Sequence, residues 1–143
     1  MVGRLPVRER LQKFQICQEM DCVVCGAGVE NIQHLFFECL YSSRVLQEVK
    51  KWLQWRTPAT SIQGLMSNIR HSKHSSFKKG VLIVTLAAMS YQIWLNRNEV
   101  LWQFRCKQAG SIVQNIKNVV RYRINGITYR GLTPRDMTWF DQL

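Results

Sequence analysis

Apolar side chains recur at helical spacing along most of the chain. Val7, Leu11 and Phe14 fall at i, i+4 and i+7 with Arg8, Arg10 and Lys13 between them. This predicts a short amphipathic helix that tolerates Pro6 in its first turn. Val29 to Glu38 starts a second helix, whose Leu35 and Phe36 are expected to pack back over the first. Val45, Leu46, Val49, Trp52 and Leu53 form the stripe of a third, capped by Ser42-Ser43 and reaching about Trp55. Ser61 caps a short helix through Arg70. From Val81 to about Lys107 the chain is apolar nearly all round until Asn96 and more polar after it, as in a long helix that starts buried and then emerges. Gly110-Ser111 punctuates, and Ile112, Ile116, Val119, Val120 and Arg123 outline the next helix. Thr133-Pro134 opens a last short one, an N-cap followed by proline. The pattern is mainly α, without internal repeats or low-complexity tracts.

A chain of 143 residues suits one ordinary domain, alone or with a small appended module, and is too short for a complete polymerase, kinase or barrel enzyme. Apolar residues make up 46%, enough for a core, so wholesale disorder is excluded. The formal net charge of +11 points to a polyanion, either nucleic acid or an acidic membrane surface. The excess is uneven: residues 1–57 carry 8 basic and 6 acidic side chains, and residues 58–143 carry 12 and 3. The run from Thr57 to Ser61 is a seam between an N-terminal module, 1–57, and a basic helical region, 58–143.

Met1 to Ile16 holds no uninterrupted apolar stretch of the secretory type. Gly80 to Asn96 has no formal charge over 17 residues, the short edge of a membrane span, yet it includes Thr85, Ser90, Tyr91 and Gln92. A buried core helix is the expectation. The protein is expected to be intracellular, nuclear or cytoplasmic, and not secreted or membrane-bound.

Five cysteines, an odd number, do not make a disulfide framework, and three of them cluster. Cys22, Cys25, His34 and Cys39 read C-x2-C-x8-H-x4-C. A C-x2-C turn lets two thiolates converge on one ion, and Gly26 just after it relaxes the backbone. His34 and Cys39 lie five apart, which on a helix is expected to set both roughly on one face near its end. Three sulfurs and one nitrogen make a closed tetrahedral shell, which selects Zn²⁺ and leaves no open position for catalysis. The expected cofactor is one structural zinc, and no catalytic residue is assigned. Cys17 and Cys106 read as ordinary thiols.

Leu5-Pro6-Val7-Arg8-Glu9-Arg10-Leu11, followed by the Cys/His run with Glu30, Ile32 and His34-Leu35-Phe36-Phe37, resembles the zinc-binding domain of plant LINE-type reverse transcriptases. That family runs L-P-T-x-D/E-x-L, then C-x2-C-x3-E-x3-H-L-F-x2-C. Cys22, Cys25, His34 and Cys39 match its ligand positions, with one more residue between Cys25 and Glu30 than that pattern has. Ile93-Trp94-Leu95-Asn96-Arg97-Asn98 is similar to the I-W-x-x-R-N run that follows the zinc domain in these proteins. Position 7 is Val where the family commonly has Thr. The family domain has an aromatic-rich segment upstream of the L-P motif, so the resemblance implies a front-truncated module, the tail of a retroelement polyprotein. No Tyr-x-Asp-Asp occurs, and Asp21, Asp136 and Asp141 are too scattered for two-metal nucleotide transfer. The resemblance implies a non-catalytic zinc module that accompanies a reverse transcriptase and grips RNA or DNA.

Candidate nucleic-acid contacts are Arg70, Lys73, Lys78 and Lys79, in a run read as a loop leading into a helix, and Lys117 and Arg121, which share a face with Gln114. Each group is equally readable as a solvated connector or face. Trp52 is expected in the core, while for Trp55 core packing and base stacking both stand. Trp94, Leu101 and Trp102 read as anchors between helices, and Arg97 and Asn98 as solvent-facing or capping groups. The expected partner is RNA or DNA, with a reverse transcriptase or another protein as a further one and no small-molecule substrate. The alternative is a structural or protein-interaction helical domain, or a retroelement remnant, in which zinc is only a staple.

Overall fold

The computed structural model describes residues 4–127 and 131–143. Among them the chain forms α1 (Arg8–Lys13), a π-helix (His34–Glu38), α2 (Leu40–Trp52), α3 (Ile62–His71), α4 (Ser76–Gln103), α5 (Ala109–Asn125) and α6 (Pro134–Asp141). No strand forms among the described residues; a single antiparallel bridge joins Asp21 to Val29. A small Cys/His module is followed by helices, as the pattern implied.

The long helix α4 is the axis of the bundle. Val81, Leu82, Thr85, Leu86, Met89 and Ile93 are buried along it. Thr85 keeps its hydroxyl satisfied there by donating to the Val81 carbonyl at 2.8 Å. Helix α5 lies against α4 and α2 with Ile112, Ile116, Val120 and Ile124 inward, and α3 folds back on α4. One hydrophobic cluster runs from Val7 to Ile124 and so spans the 57–61 segment, which is an extended connector. No helix among the described residues is long and apolar enough to cross a membrane.

Several local expectations are corrected. Phe14, read as part of an inward stripe, is 63% exposed, because α1 stops at Lys13 and the chain turns away. Pro6 lies before the Val7 N-cap rather than in the first turn. Residues 29–31 are not helical, and Leu35 and Phe36 pack chiefly against α2 and α4 rather than α1. Ser42 does not cap; it sits buried inside α2 and donates to the Leu35 carbonyl at 2.5 Å. The basic run is mostly helical: α3 reaches His71, and Lys78 and Lys79 are in the first turn of α4. Ser75 Oγ accepts from Lys78 N and starts α4 five residues earlier than its apolar pattern does. Gly110 lies inside the first turn of α5. Trp55 resolves to core, 4% exposed, with its indole N–H donating to Asn68 Oδ1 at 2.8 Å. Trp102 is an outward side chain, 75% exposed, rather than an anchor.

The cap expected at Thr133 is complete. Thr133 Oγ1 accepts from Asp136 N, and the Asp136 carboxylate accepts from Thr133 N. Asp136 also accepts from Ser75 Oγ at 2.6 Å, and Phe140 meets Phe77 edge-on at 5.8 Å. These contacts fasten α6 to the start of α4.

Candidate metal centre

A tight hairpin carries the first two cysteines. Cys22 N donates to Gly28 O at 2.9 Å, Gly26 N to Cys22 O at 2.8 Å, and Glu30 N to Met20 O at 2.7 Å. Gly26 and Gly28 both have positive φ, +66° and +73°, the region open to glycine at little cost. Gly28 has a second duty. A Cβ built there meets the His34 ring at 3.2 Å, so the missing side chain is what admits the imidazole.

Of the other two donors, His34 opens the π-helix and Cys39 caps its end. In an α-helix, five residues at about 100° each come to about 140° from the starting face, which would point His34 and Cys39 apart. Here Cys39 N donates to His34 O at 2.7 Å, an i to i+5 bond that widens the turn and brings both side chains to one side. The expected shared face is therefore real, but it needs a π-turn. Asn31 Oδ1 accepts from His34 N at 2.7 Å and holds the start of the turn.

The result is a cluster in which the ligand atoms of Cys22, Cys25, His34 and Cys39 all lie within 4.8 Å of one another. Cys25 Sγ stands 3.3 Å from His34 Nε2. A tetrahedral shell with zinc bonds of about 2.0–2.3 Å has ligand atoms roughly 3.3–3.8 Å apart, so small side-chain adjustments suffice to close it. Cys22 and Cys39 are buried, while Cys25 and His34 are half-buried. The hydrogen bond between Cys22 and Cys39 pushes the Cys22 thiol far up, with burial adding to it, and brings Cys39 down to about 5. One proton is held between two crowded sulfurs, and a divalent ion displaces it. The donor set fits one structural zinc.

Glu30 fastens this loop to the bundle. It is fully buried, and its carboxylate accepts from Arg8 N at 3.0 Å and from Val23 N, between the first two cysteines, at 3.2 Å. Arg97 of α4 donates to it through Nη2 at 2.7 Å and Nε at 3.2 Å. Arg97 is 3% exposed, so its expected solvent-facing position is corrected. The signal was in the register: Arg97 falls one turn beyond Ile93 on the buried face that Met89 and Ile93 define. Trp94 covers the guanidinium at 5.1 Å. Asn96, also buried, accepts from Lys107 N at 2.9 Å and holds the loop after α4.

The six basic candidates divide. Arg70 and Lys73 are exposed at the corner between α3 and α4. Lys78 and Lys79 are half-buried there; Lys78 Nζ lies 4.4 Å from the Trp139 ring, and Lys79 Nζ donates to Arg70 O at 3.1 Å. Desolvation lowers the pKa of Lys78, against the pull of Asp136. Lys117 and Arg121 do not form an open stripe with Gln114. They cover Trp52 at 5.6 and 5.9 Å, and Arg121 Nη2 donates to the Leu143 main-chain oxygen at 2.6 Å. Trp52 Nε1 donates to the same oxygen at 2.7 Å.

A Cys3His knuckle held by a buried carboxylate against a helical bundle defines a structural zinc-binding module. Residues 1–45 match the family described as zinc-binding in reverse transcriptase, so this segment of the chain is similar to zinc-binding domains of that kind. No curated protein and no solved structure matches the chain.

Proposed function

We propose that the chain is a non-catalytic, retroelement-derived zinc protein whose basic helical end binds RNA or DNA with little sequence preference. One observation carries this reading: a cluster of cations, Arg70, Lys73, Lys78 and Lys79, stands at the end of α4 remote from the metal loop. Helix α2 leaves the centre at Cys39, and α4 returns to it at Arg97. Lys78 lies 19 residues before Arg97 on α4, about 28 Å along the axis at 1.5 Å per residue. Arg70, Lys73 and Lys79 stand at that distant corner, and Lys51 and Arg56 follow the outward course of α2. Asp136, an acidic residue of the same corner, is buried and occupied by Ser75 and Thr133. Cations near phosphates release counterions, which supplies affinity without reading bases. The closed ligand set supports a fold-organising metal over a catalytic one.

The test is the affinity of the zinc-loaded chain for labelled single-stranded RNA and duplex DNA between about 50 and 200 mM salt. Affinity should fall steeply, and Arg70→Ala with Lys73→Ala should flatten the salt slope by close to two. Affinity indifferent to salt would overturn the reading. A second reading, a protein-interaction domain with zinc as staple, is supported by an apolar groove on α3 and α4.

A further inference from the structure

Ile62 and Met66 of α3 face Ile83, Leu86, Ala87, Tyr91 and Trp94 of α4 across an open groove of about 470 Å³, which Leu5 and Phe36 also line. Its lining is apolar apart from the Ser90 hydroxyl and the polar edges of Tyr91 and Trp94. Met66 is 40% exposed, Ile83 44% and Tyr91 60%, so large apolar groups line a surface that the described residues do not cover. The volume is that of a binding cleft rather than a packing defect.

We propose that this groove receives one amphipathic helix of a protein partner, with an acidic turn at one end. Length supports the occupant. From Ile83 to Trp94 the wall runs 11 residues, about 16 Å or three helical turns, which fits apolar anchors at i, i+3 or i+4, and i+7. Charge supports it too. Arg70 lies one turn beyond Met66 on α3, and Lys79 one turn before Ile83 on α4, so both cations flank the same end of the groove. The Lys79 Nζ donation to Arg70 O joins them there. Neither α3 nor α4 up to Asn98 contains an Asp or Glu. A helix that carries Glu or Asp in one terminal turn pairs with this end, and a helix with Lys there is repelled. This inference does not depend on nucleic-acid binding, although Arg70 and Lys79 serve both.

The probe is a labelled helix-forming peptide of about 15 residues with Leu, Leu and Phe at i, i+4 and i+7 and Glu in its first turn. Two control peptides carry the same composition scrambled, or Lys in place of Glu. Fluorescence anisotropy with the zinc-loaded full chain should show saturable binding of the first peptide and about tenfold weaker binding of both controls. Ile83→Gln and Tyr91→Gln, both at exposed positions, should weaken binding by a similar factor while zinc content and helicity stay unchanged. Arg70→Glu with Lys79→Glu should reverse the preference between the Glu and Lys peptides. Equal binding of the scrambled peptide, or no binding by the first, overturns the proposal. So does sedimentation that shows a dimer which Ile83→Gln dissociates, since the groove is then filled by a second copy. Peptide binding with no RNA binding overturns only the nucleic-acid reading.

Discussion

Glu30 and Arg97 meet at 2.7 Å across 67 residues of sequence, with side-chain exposures of 0% and 3%. The pair joins the metal loop to the axial helix, and the same carboxylate receives the amides of Arg8 and Val23. A buried pair of this kind is weak evidence for net stability, because desolvating both charges offsets most of their attraction. Removing one partner is different, since the other is left buried and uncompensated. Arg97→Met should therefore cost about 3–5 kcal/mol. The double variant with Glu30→Gln should recover part of that loss. Urea unfolding of the four zinc-loaded chains in a double-mutant cycle checks this, and additivity of the two changes would refute the coupling.

Metal content tests the centre itself. The purified chain should carry one zinc, and Cys22→Ser with Cys25→Ser should lose both the zinc and part of the helicity. Structural zinc contributes on the order of 10–16 kcal/mol in small zinc peptides, so a chelator should act as a denaturant of this module. A metal-free wild type with full helicity would contradict the assignment.

Zinc uptake should release protons. The hydrogen bond with Cys39, with burial adding to it, raises the Cys22 thiol, and the same bond lowers Cys39. The metal must displace the Cys22 proton, so affinity falls as pH falls. Calorimetry in two buffers of different ionisation enthalpy reads the released protons directly, and identical apparent enthalpies would exclude the displacement.

The two loop glycines should differ. Gly26→Ala meets no neighbour and incurs only the positive-φ strain, about 1–2 kcal/mol. Gly28→Ala adds a methyl at 3.2 Å from the ligand ring, so it should weaken zinc binding as well as stability. Competition with a chromophoric chelator distinguishes the two, Gly28→Ala being the one with the larger loss of affinity.

Asp136 gives a pH signature at the other end of the bundle. Its hydrogen bond from Ser75, with those from Thr133, holds its pKa below the ordinary carboxylate range. A lowered folded pKa means stability present above the unfolded value and lost as pH falls through the folded one. Asp136→Asn should cost about 1–2 kcal/mol at neutral pH, and the gap to wild type should close in strong acid. Thermal melts of both chains over the acid range measure it.

Lys117→Met and Arg121→Met should act on stability more than on nucleic-acid affinity. Both cations lie over the Trp52 ring, and Arg121 also binds Leu143. Melting temperature should drop, while the salt slope of RNA binding stays near that of wild type. A slope reduced as much as by Arg70→Ala and Lys73→Ala would make them phosphate contacts after all.

Much of the fold was legible because its signals are local. The stripes of α2, α4 and α5, the Ser61 and Thr133 caps and the C-x2-C turn each depend on residues within a few positions of one another. Element ends were less legible. The start of α4 is set by the Ser75 cap in a run that reads as basic loop, and the end of α1 by a turn that carries Phe14 outward. The ligand set was readable from spacing alone, but its geometry was not, since an α-helix at the same spacing would part His34 from Cys39.

The sequence by itself determined the helical class, the four zinc donors and the uneven charge, because side-chain period, thiolate chemistry and net charge survive any arrangement of the elements. Only the tertiary structure decided that Arg97 turns inward to Glu30, that Lys117 and Arg121 cover Trp52, and that α3 and α4 leave an apolar groove between them. For the cations the physical reason is the same. A cation on a helix face can be solvated or paired, and which of the two costs less depends on what another part of the chain, tens of residues away, brings against it.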